Sequence, residues 1–298
     1  MILSQIMPVF LFVAMGYAFK VFKRDISDSL IEFVIYFSLP ALALVKIREL
    51  KFDDIVLNII LISYIAMTIS AIISFLVAKI LKLDRKTLVT FMVVSTFGNT
   101  SFVGFSYVES LYSSNELSYA LVYDQIGSFV ALLTIGMVLI SWGANKEIKQ
   151  SALQKIKMIL TPPFVSILLA LMLQGVEFPL YVENILKKLE MTLIPLVTII
   201  VGMKLEIKGF KKYFKESMLV LLIKMVLSPI LLFGISYLFW DMNQTWLKVT
   251  LLEASMPPMT MAVLFAIRAG LNKDLAINSL GLGILVSFVL VPLWNSLL

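Results

Sequence analysis

STFGNTSFVG, residues 95–104, breaks an apolar run with Gly98, Asn99, Thr100 and Ser101, and EASMPPMT, residues 253–260, breaks another with Pro257 and Pro258. Both runs are otherwise apolar enough to be membrane helices, so each break places polar or proline-containing backbone at membrane depth. Consecutive prolines remove two amide donors and clash with the preceding turn, while a Gly-Asn-Thr-Ser string weakens a helix and competes for its backbone hydrogen bonds. Freed amides and carbonyls in hydrocarbon are costly unless they line a cavity or meet a partner. The economical expectation is a binding site formed by Gly98, Asn99, Thr100, Ser101, Pro257, Pro258 and Met259.

Composition sets the solvent. The 298 residues are 60% hydrophobic and 15% charged, with a mean hydropathy of +0.97, against roughly half apolar and a quarter charged in a soluble domain. Apolar runs of about 20 residues, the length that crosses a bilayer, follow one another with short gaps. They predict an all-α polytopic membrane protein with ten transmembrane helices near 2–19, 29–46, 55–80, 87–108, 117–142, 159–175, 184–204, 216–240, 246–267 and 275–297. The first lacks a basic leader and a small-residue cleavage pattern, so it is expected in the mature chain. With both termini outside, eighteen Lys and Arg residues fall in inner loops and six in outer ones. That bias fits the positive-inside rule and gives the net charge of +6 a topological meaning rather than a nucleic-acid-binding one.

Prolines serve as a ruler for internal repetition. Pro8 and Pro163 lie 155 residues apart, as do Pro40 and Pro195. Later the offset becomes 159, where Ser128-Phe129-Val130 recurs as Ser287-Phe288-Val289 and Gly98-Asn99-Thr100-Ser101 falls on Pro257-Pro258-Met259-Thr260. Five helices per half is an odd number, so the two halves, 1–145 and 146–298, are expected to be inverted repeats with broken crossover helices four and nine, a transporter pattern.

Charges inside the membrane mark function by default. Asp124 and Glu253 each lie about seven residues below the outer surface, roughly 10 Å deep at 1.5 Å per residue, and would face one another. They are candidates for proton or ion coupling. Lys224 lies about as deep from the inner surface, within snorkelling reach, and is a candidate counter-charge for an anion. The chain contains no Cys and no His, which removes thiolate and His-based catalysis and the usual zinc sites. No cofactor and no enzymatic activity are expected.

Three stretches carry a family resemblance: SLPALAL at 38–44, FGNTSFVGFSYVESLY at 97–112 and EASMPPMTMAVLFAIRAGLNKDLA at 253–276. In their order and spacing the whole chain resembles the auxin efflux carrier family, in particular short prokaryotic members described as malate or malonate permeases. The resemblance implies a scaffold of helices one, two, six and seven, and a mobile transport unit of helices three to five and eight to ten. It further implies an elevator movement, small organic anions such as malate, malonate or auxin-like acids as substrates, and a homodimer; the brevity of the chain and the absence of a long loop lead to the expectation of a plasma membrane. Plant members carry Asn-Pro-Asn in both crossovers. Here Asn99 matches the first, and Pro257 and Pro258 keep the proline of the second, but Met256 and Met259 replace its flanking polar residues, which points away from auxin itself. Two alternatives remain at this level: a sodium-coupled bile-acid-type symporter with cation sites beside the crossover, and a non-transporting membrane sensor or assembly factor.

Overall fold

A computed structural model of the chain describes residues 2–50, 54–144, 160–205 and 212–298. The expected boundary between halves at 145/146, residue 159 at the expected start of the sixth helix, and Lys51, Lys146, Lys149, Lys155, Lys157, Lys208 and Lys211 lie outside the described residues. Among the described residues the elements are α1 (Ile2–Phe22), α2 (Ser27–Lys46), α3 (Asp54–Ile80), α4 (Arg85–Thr96), α5 (100–111), α6 (Ser114–Ala144), α7 (Pro162–Met172), α8 (Leu180–Glu190), α9 (Leu193–Lys204), α10 (Phe214–Phe239), α11 (Thr245–Ala254), α12 (Thr260–Arg268) and α13 (Lys273–Leu297).

Five of these, α2, α3, α6, α10 and α13, are each long and apolar enough to cross a membrane. They leave large apolar side chains such as Leu57, Ile72, Val138, Leu231 and Val289 exposed, which only a lipid environment accommodates in such number. The protein is therefore a multi-pass membrane protein. Ile6–Phe22 of α1 and Pro162–Met172 are shorter apolar stretches. The expected fourth helix is divided into α4 and α5, and the ninth into α11 and α12, at the two breaks already named.

The seventh helix departs from expectation. An unbroken helix over 184–204 was expected, but α8 ends at Glu190 and α9 begins at Leu193, with a turn at Met191 and Thr192. The segment LYVENILKKLE is amphipathic and none of its residues is buried, so it does not belong inside the bundle as α9 does. Arg48, beyond the end of α2, holds it in place. Its guanidinium donates to Glu183 at 3.0 Å and to the Val176 carbonyl at 3.2 Å, and stacks 4.2 Å over the Phe178 ring. The Ser38 and Thr192 hydroxyls, 2.8 Å apart, tie the kink to α2. The sixth helix is also shorter than expected, 162–172 rather than 159–175, starting where Pro162 and Pro163 supply pre-set φ angles at the first turn.

Single turns of π-helix interrupt α2 at Val34–Ser38, α6 at Tyr123–Phe129 and Leu132–Gly136, and α10 at Ile223–Leu227. In α2 the cause is local, since Pro40 has no amide to return to the preceding turn. Those in α6 and α10 carry Asp124, Gln125 and Lys224, all buried. A π turn inserts a residue into the helical period and so re-aims the side chains around it.

Helix ends outside the bilayer are capped by side chains. Asp84 accepts from the amides of Lys86 and Thr87 at 3.0 and 3.2 Å. The Thr87 side chain and these amides hold its carboxyl below the ordinary 3.8. Asn272 caps α13 through Leu275 and donates to the Thr87 hydroxyl at 2.9 Å, joining two loop ends.

Helices pack in two groups. α1 lies along α9, and the C-terminal half of α2 packs on α7 and α8; separately, α3 packs on α4, α6 and α10, and α13 on α10 and α12. α5 packs on α1 and α9 of the first group and on α6 of the second. The α1–α9 contact depends on glycine. A Cβ on Gly16 would overlap the Ile199 backbone, and one on Gly202 would overlap the Val13 carbonyl. Small residues permit such close helix contact in membranes. Gly202→Ala is expected to destabilise the protein by about 2 kcal/mol through forced separation of backbones. Gly234→Ala in α10, where an added Cβ meets nothing within 4 Å, is expected to gain about 0.5 kcal/mol. Chemical unfolding in mixed micelles measures both, and equal effects would contradict the packing argument.

Candidate functional site at the crossing of two helix breaks

The breaks at 97–99 and 255–259 meet and cross antiparallel, with Gly98 bridged to Pro258. The Asn99 amide donates to the Pro257 carbonyl at 2.7 Å, and the Met259 amide to the Phe97 carbonyl at 2.9 Å. Groups that the helices release are therefore satisfied across the crossing. Pro257 and Pro258 suit this arrangement, because neither has an amide to leave unpaired and each holds its predecessor extended.

Four half-helix ends converge here: the C-terminal ends of α4 and α11, and the N-terminal ends of α5 and α12. Helix C-termini carry partial negative charge and N-termini partial positive charge. Three of the four are occupied by the protein itself. At the end of α4, the Phe97 carbonyl is taken by the Met259 amide. At the end of α11, the Ala254 carbonyl accepts from the Lys224 ammonium at 2.9 Å. At the start of α5, the Asp124 carboxylate accepts from Thr100 Oγ1, from Gln125 Nε2 at 2.6 Å, and from Ser101 through its hydroxyl and amide. The N-terminus of α12 has no charged side chain of this kind. Beside it, Asn99 Nδ2 donates to Thr260 Oγ1 at 2.9 Å.

That open end borders a cavity of about 60 Å³ lined by Asn99, Ser101, Phe102, Gln125, Phe129, Met259 and Met261, with Ile35 and Leu39 of α2 and Thr161 and Pro163 at the start of α7 opposite. Asn99 Oδ1, Gln125 Oε1 and Thr161 Oγ1 are buried around it without a hydrogen-bond partner among the described residues. Orphaned buried polar atoms around one cavity mark a place prepared for a ligand or water. The Asn99 amide is adaptable, because the Thr260 hydroxyl both donates and accepts. With its oxygen toward Thr260, the NH₂ group faces the cavity as a donor. Two larger clefts, about 500 and 380 Å³, lie at the far end of α5 and share Glu109, Met191 and Ile194.

The residues singled out in the sequence are all drawn to this crossing, but in two roles. Asn99, Ser101 and Met259 line the cavity. Gly98, Thr100, Pro257 and Pro258 instead form or brace the crossing behind it. Gly98 packs closely on Lys224: an added Cβ would lie 3.1 and 3.2 Å from Lys224 Cε and Nζ, so the ammonium end would have to shift by a few tenths of an ångström. Lys224 does not snorkel. The π turn in α10 directs it inward, and the Ala254 carbonyl gives it a partner. Asp124, Glu253 and Lys224 form a buried charged cluster, with Glu253 in electrostatic reach of both others. Gln125 and Thr161 were not anticipated. Gln125 is polar at membrane depth beside Asp124, a signal present in the sequence. Thr161 precedes the helix-starting Pro162-Pro163 and reads there as an ordinary end residue.

The whole arrangement fits a chain built to pass something through a bilayer, and sequence comparison agrees. The chain matches the membrane transport protein family over residues 1–295. It belongs to the auxin efflux carrier family. An "uncharacterized transporter" of Methanothermobacter thermautotrophicus is 27% identical, over 99% of this chain and 98% of that relative. A second "uncharacterized transporter", from Methanocaldococcus jannaschii, is 24% identical over the same shares. The protein is thus a membrane transporter rather than an enzyme, with a small-molecule substrate.

Proposed function

We propose that this transporter is a secondary carrier of small organic anions, with the carboxylate held at the open N-terminus of α12. The observation that carries this is the asymmetry of the crossing: three half-helix ends are neutralised by the protein's own groups, and the one left open is electropositive and borders the cavity. Asn99, Gln125 and Thr161 supply the remaining hydrogen bonds. A volume of about 60 Å³, roughly four to six water-sized spheres, suits an acid the size of malonate or malate better than a bulky one. The ammonium fixed at the carbonyl end of α11 supports this over a sodium-coupled bile-acid-type symporter, because that end is where a free cation would bind.

Ten spans in two inverted halves account for the pair of breaks and for the basic inner loops, and they place both termini outside in the plasma membrane. α1, α2 and α7–α9 act as the scaffold, shared in a homodimer, while α3–α6 and α10–α13 carry the site past it in an elevator movement. The two packing groups support that division, and the cavity lies between them. Ligand-dependent unfolding of the purified protein tests the specificity. Malonate or malate at a hundred times its Kd is expected to stabilise by about 2.7 kcal/mol, while equivalent amines and neutral amides do not. Stabilisation by the amines instead would overturn the anion assignment.

A further inference from the structure

Glu253, one residue before the end of α11, is fully buried, and neither carboxyl oxygen has a hydrogen-bond partner among the described residues. Asp124 of α6 and Lys224 of α10 are its charged neighbours, and Tyr123 of α6 is also within electrostatic reach. Gly104 of α5 lies so close that an added Cβ there would overlap the carboxyl group. α3 and α13 also pack against α11. They carry charged residues only near their ends, Asp54, Lys79, Lys273 and Asp274, and one tyrosine, Tyr64. Glu116 at the start of α6 and Lys248 in the first turn of α11 stand at the outer end, away from the break.

The cluster thus holds two carboxyl groups and one ammonium, one positive charge short of balance. An uncompensated charge in a membrane interior is strongly unfavourable. The three groups are not equivalent. Asp124 is supplied with donors by Thr100, Ser101 and Gln125, and Lys224 is held by the Ala254 carbonyl. Glu253 alone lacks donors, so the imbalance falls on it. A proton corrects the balance without requiring extra volume beside Gly104, and the adjacent carbonyl end of α11 is already filled by the ammonium.

We propose that Glu253 is a proton-binding site and that its proton is the coupling ion, an inference that rests on the carrier reading above. Proton uptake from water forms an O–H bond on the Glu253 carboxyl and leaves the cluster neutral. Release leaves it with one excess negative charge, four residues before Pro257 at the crossing. Protonation state and substrate occupancy therefore act on the same backbone break.

Infrared spectra of the purified wild-type protein at neutral pH are expected to show the C=O stretch of a protonated carboxyl. That band is lost in Glu253→Gln, shifted but retained in Glu253→Asp, and indifferent to exchange of sodium for potassium. Absence of the band, its survival in Glu253→Gln, or its loss on adding sodium would overturn the proposal. In proteoliposomes, an imposed pH gradient is expected to drive radiolabelled malonate away from its equilibrium ratio by up to about tenfold per pH unit for one coupled proton. Glu253→Gln is expected to exchange malonate without responding to the gradient, and a full response there would count against the proposal. Absence of wild-type flux for malonate and malate would count against the carrier reading, while the infrared bands would still decide where the proton resides.

Discussion

Lys224→Met is expected to lower stability by about 3 kcal/mol and to abolish transport. Methionine keeps the unbranched stem, one atom shorter, and removes the charge, so the loss is mainly electrostatic. The Ala254 carbonyl at the end of α11 loses its partner, which by itself costs about 1–3 kcal/mol for a buried acceptor. Asp124 and Glu253 then share an interior with no cation. Arginine is not expected to rescue, because Gly98 leaves room for an ammonium and little more, and the guanidinium fork needs different geometry. Unfolding of purified variants in micelles checks the first effect. A Lys224→Met protein as stable as wild type would show that the ammonium does not hold the crossing together.

The second large effect is expected at Asn99, with the opposite signature. The crossing uses the backbone amide of Asn99, not its side chain, so Asn99→Ala is expected to fold and to lose only the hydrogen bond to Thr260, worth about 1 kcal/mol. Transport is expected to fall far more. A hydrogen bond to a charged ligand contributes about 1.5–3 kcal/mol, or roughly ten- to a hundredfold in affinity. Asn99→Asp, almost isosteric, places a carboxylate where the substrate carboxylate should sit and is expected to be worse than alanine. Lys224 and Asn99 thus separate the two layers of the site: one affects folding and transport together, the other transport alone.

Much of this could be read from residue types because membrane interiors penalise irregular backbone. Gly98-Asn99 and Pro257-Pro258 at membrane depth left few outcomes other than two breaks, and Asp124, Glu253 and Lys224 were conspicuous for the same reason. What escaped was whatever depends on side-chain direction. The π turns in α6 and α10 shift the helical period by one residue, so depth arithmetic left Lys224 within snorkelling reach of the inner surface, whereas its side chain is buried at the crossing. Thr161 lines the cavity because α7 begins only after it, at Pro162 and Pro163, rather than at 159. The kink at Met191 and Thr192 escaped as well, since the apolar run continues into LYVENILKKLE and only its amphipathic pattern sets it apart. Division into inverted halves and an elevator movement rests on offsets between prolines and on the grouping of helices, and both remain proposals for experiment.

Initial rates of radiolabelled malonate and malate uptake into proteoliposomes, compared among wild type, Asn99→Ala and Asn99→Asp at equal amounts of folded protein, test the central claim most directly. Saturable wild-type flux that falls at least about tenfold in Asn99→Ala, and further in Asn99→Asp, is the result that an anion site beside α12 predicts. Wild-type flux that persists unchanged in Asn99→Asp would contradict it and move the substrate away from the crossing.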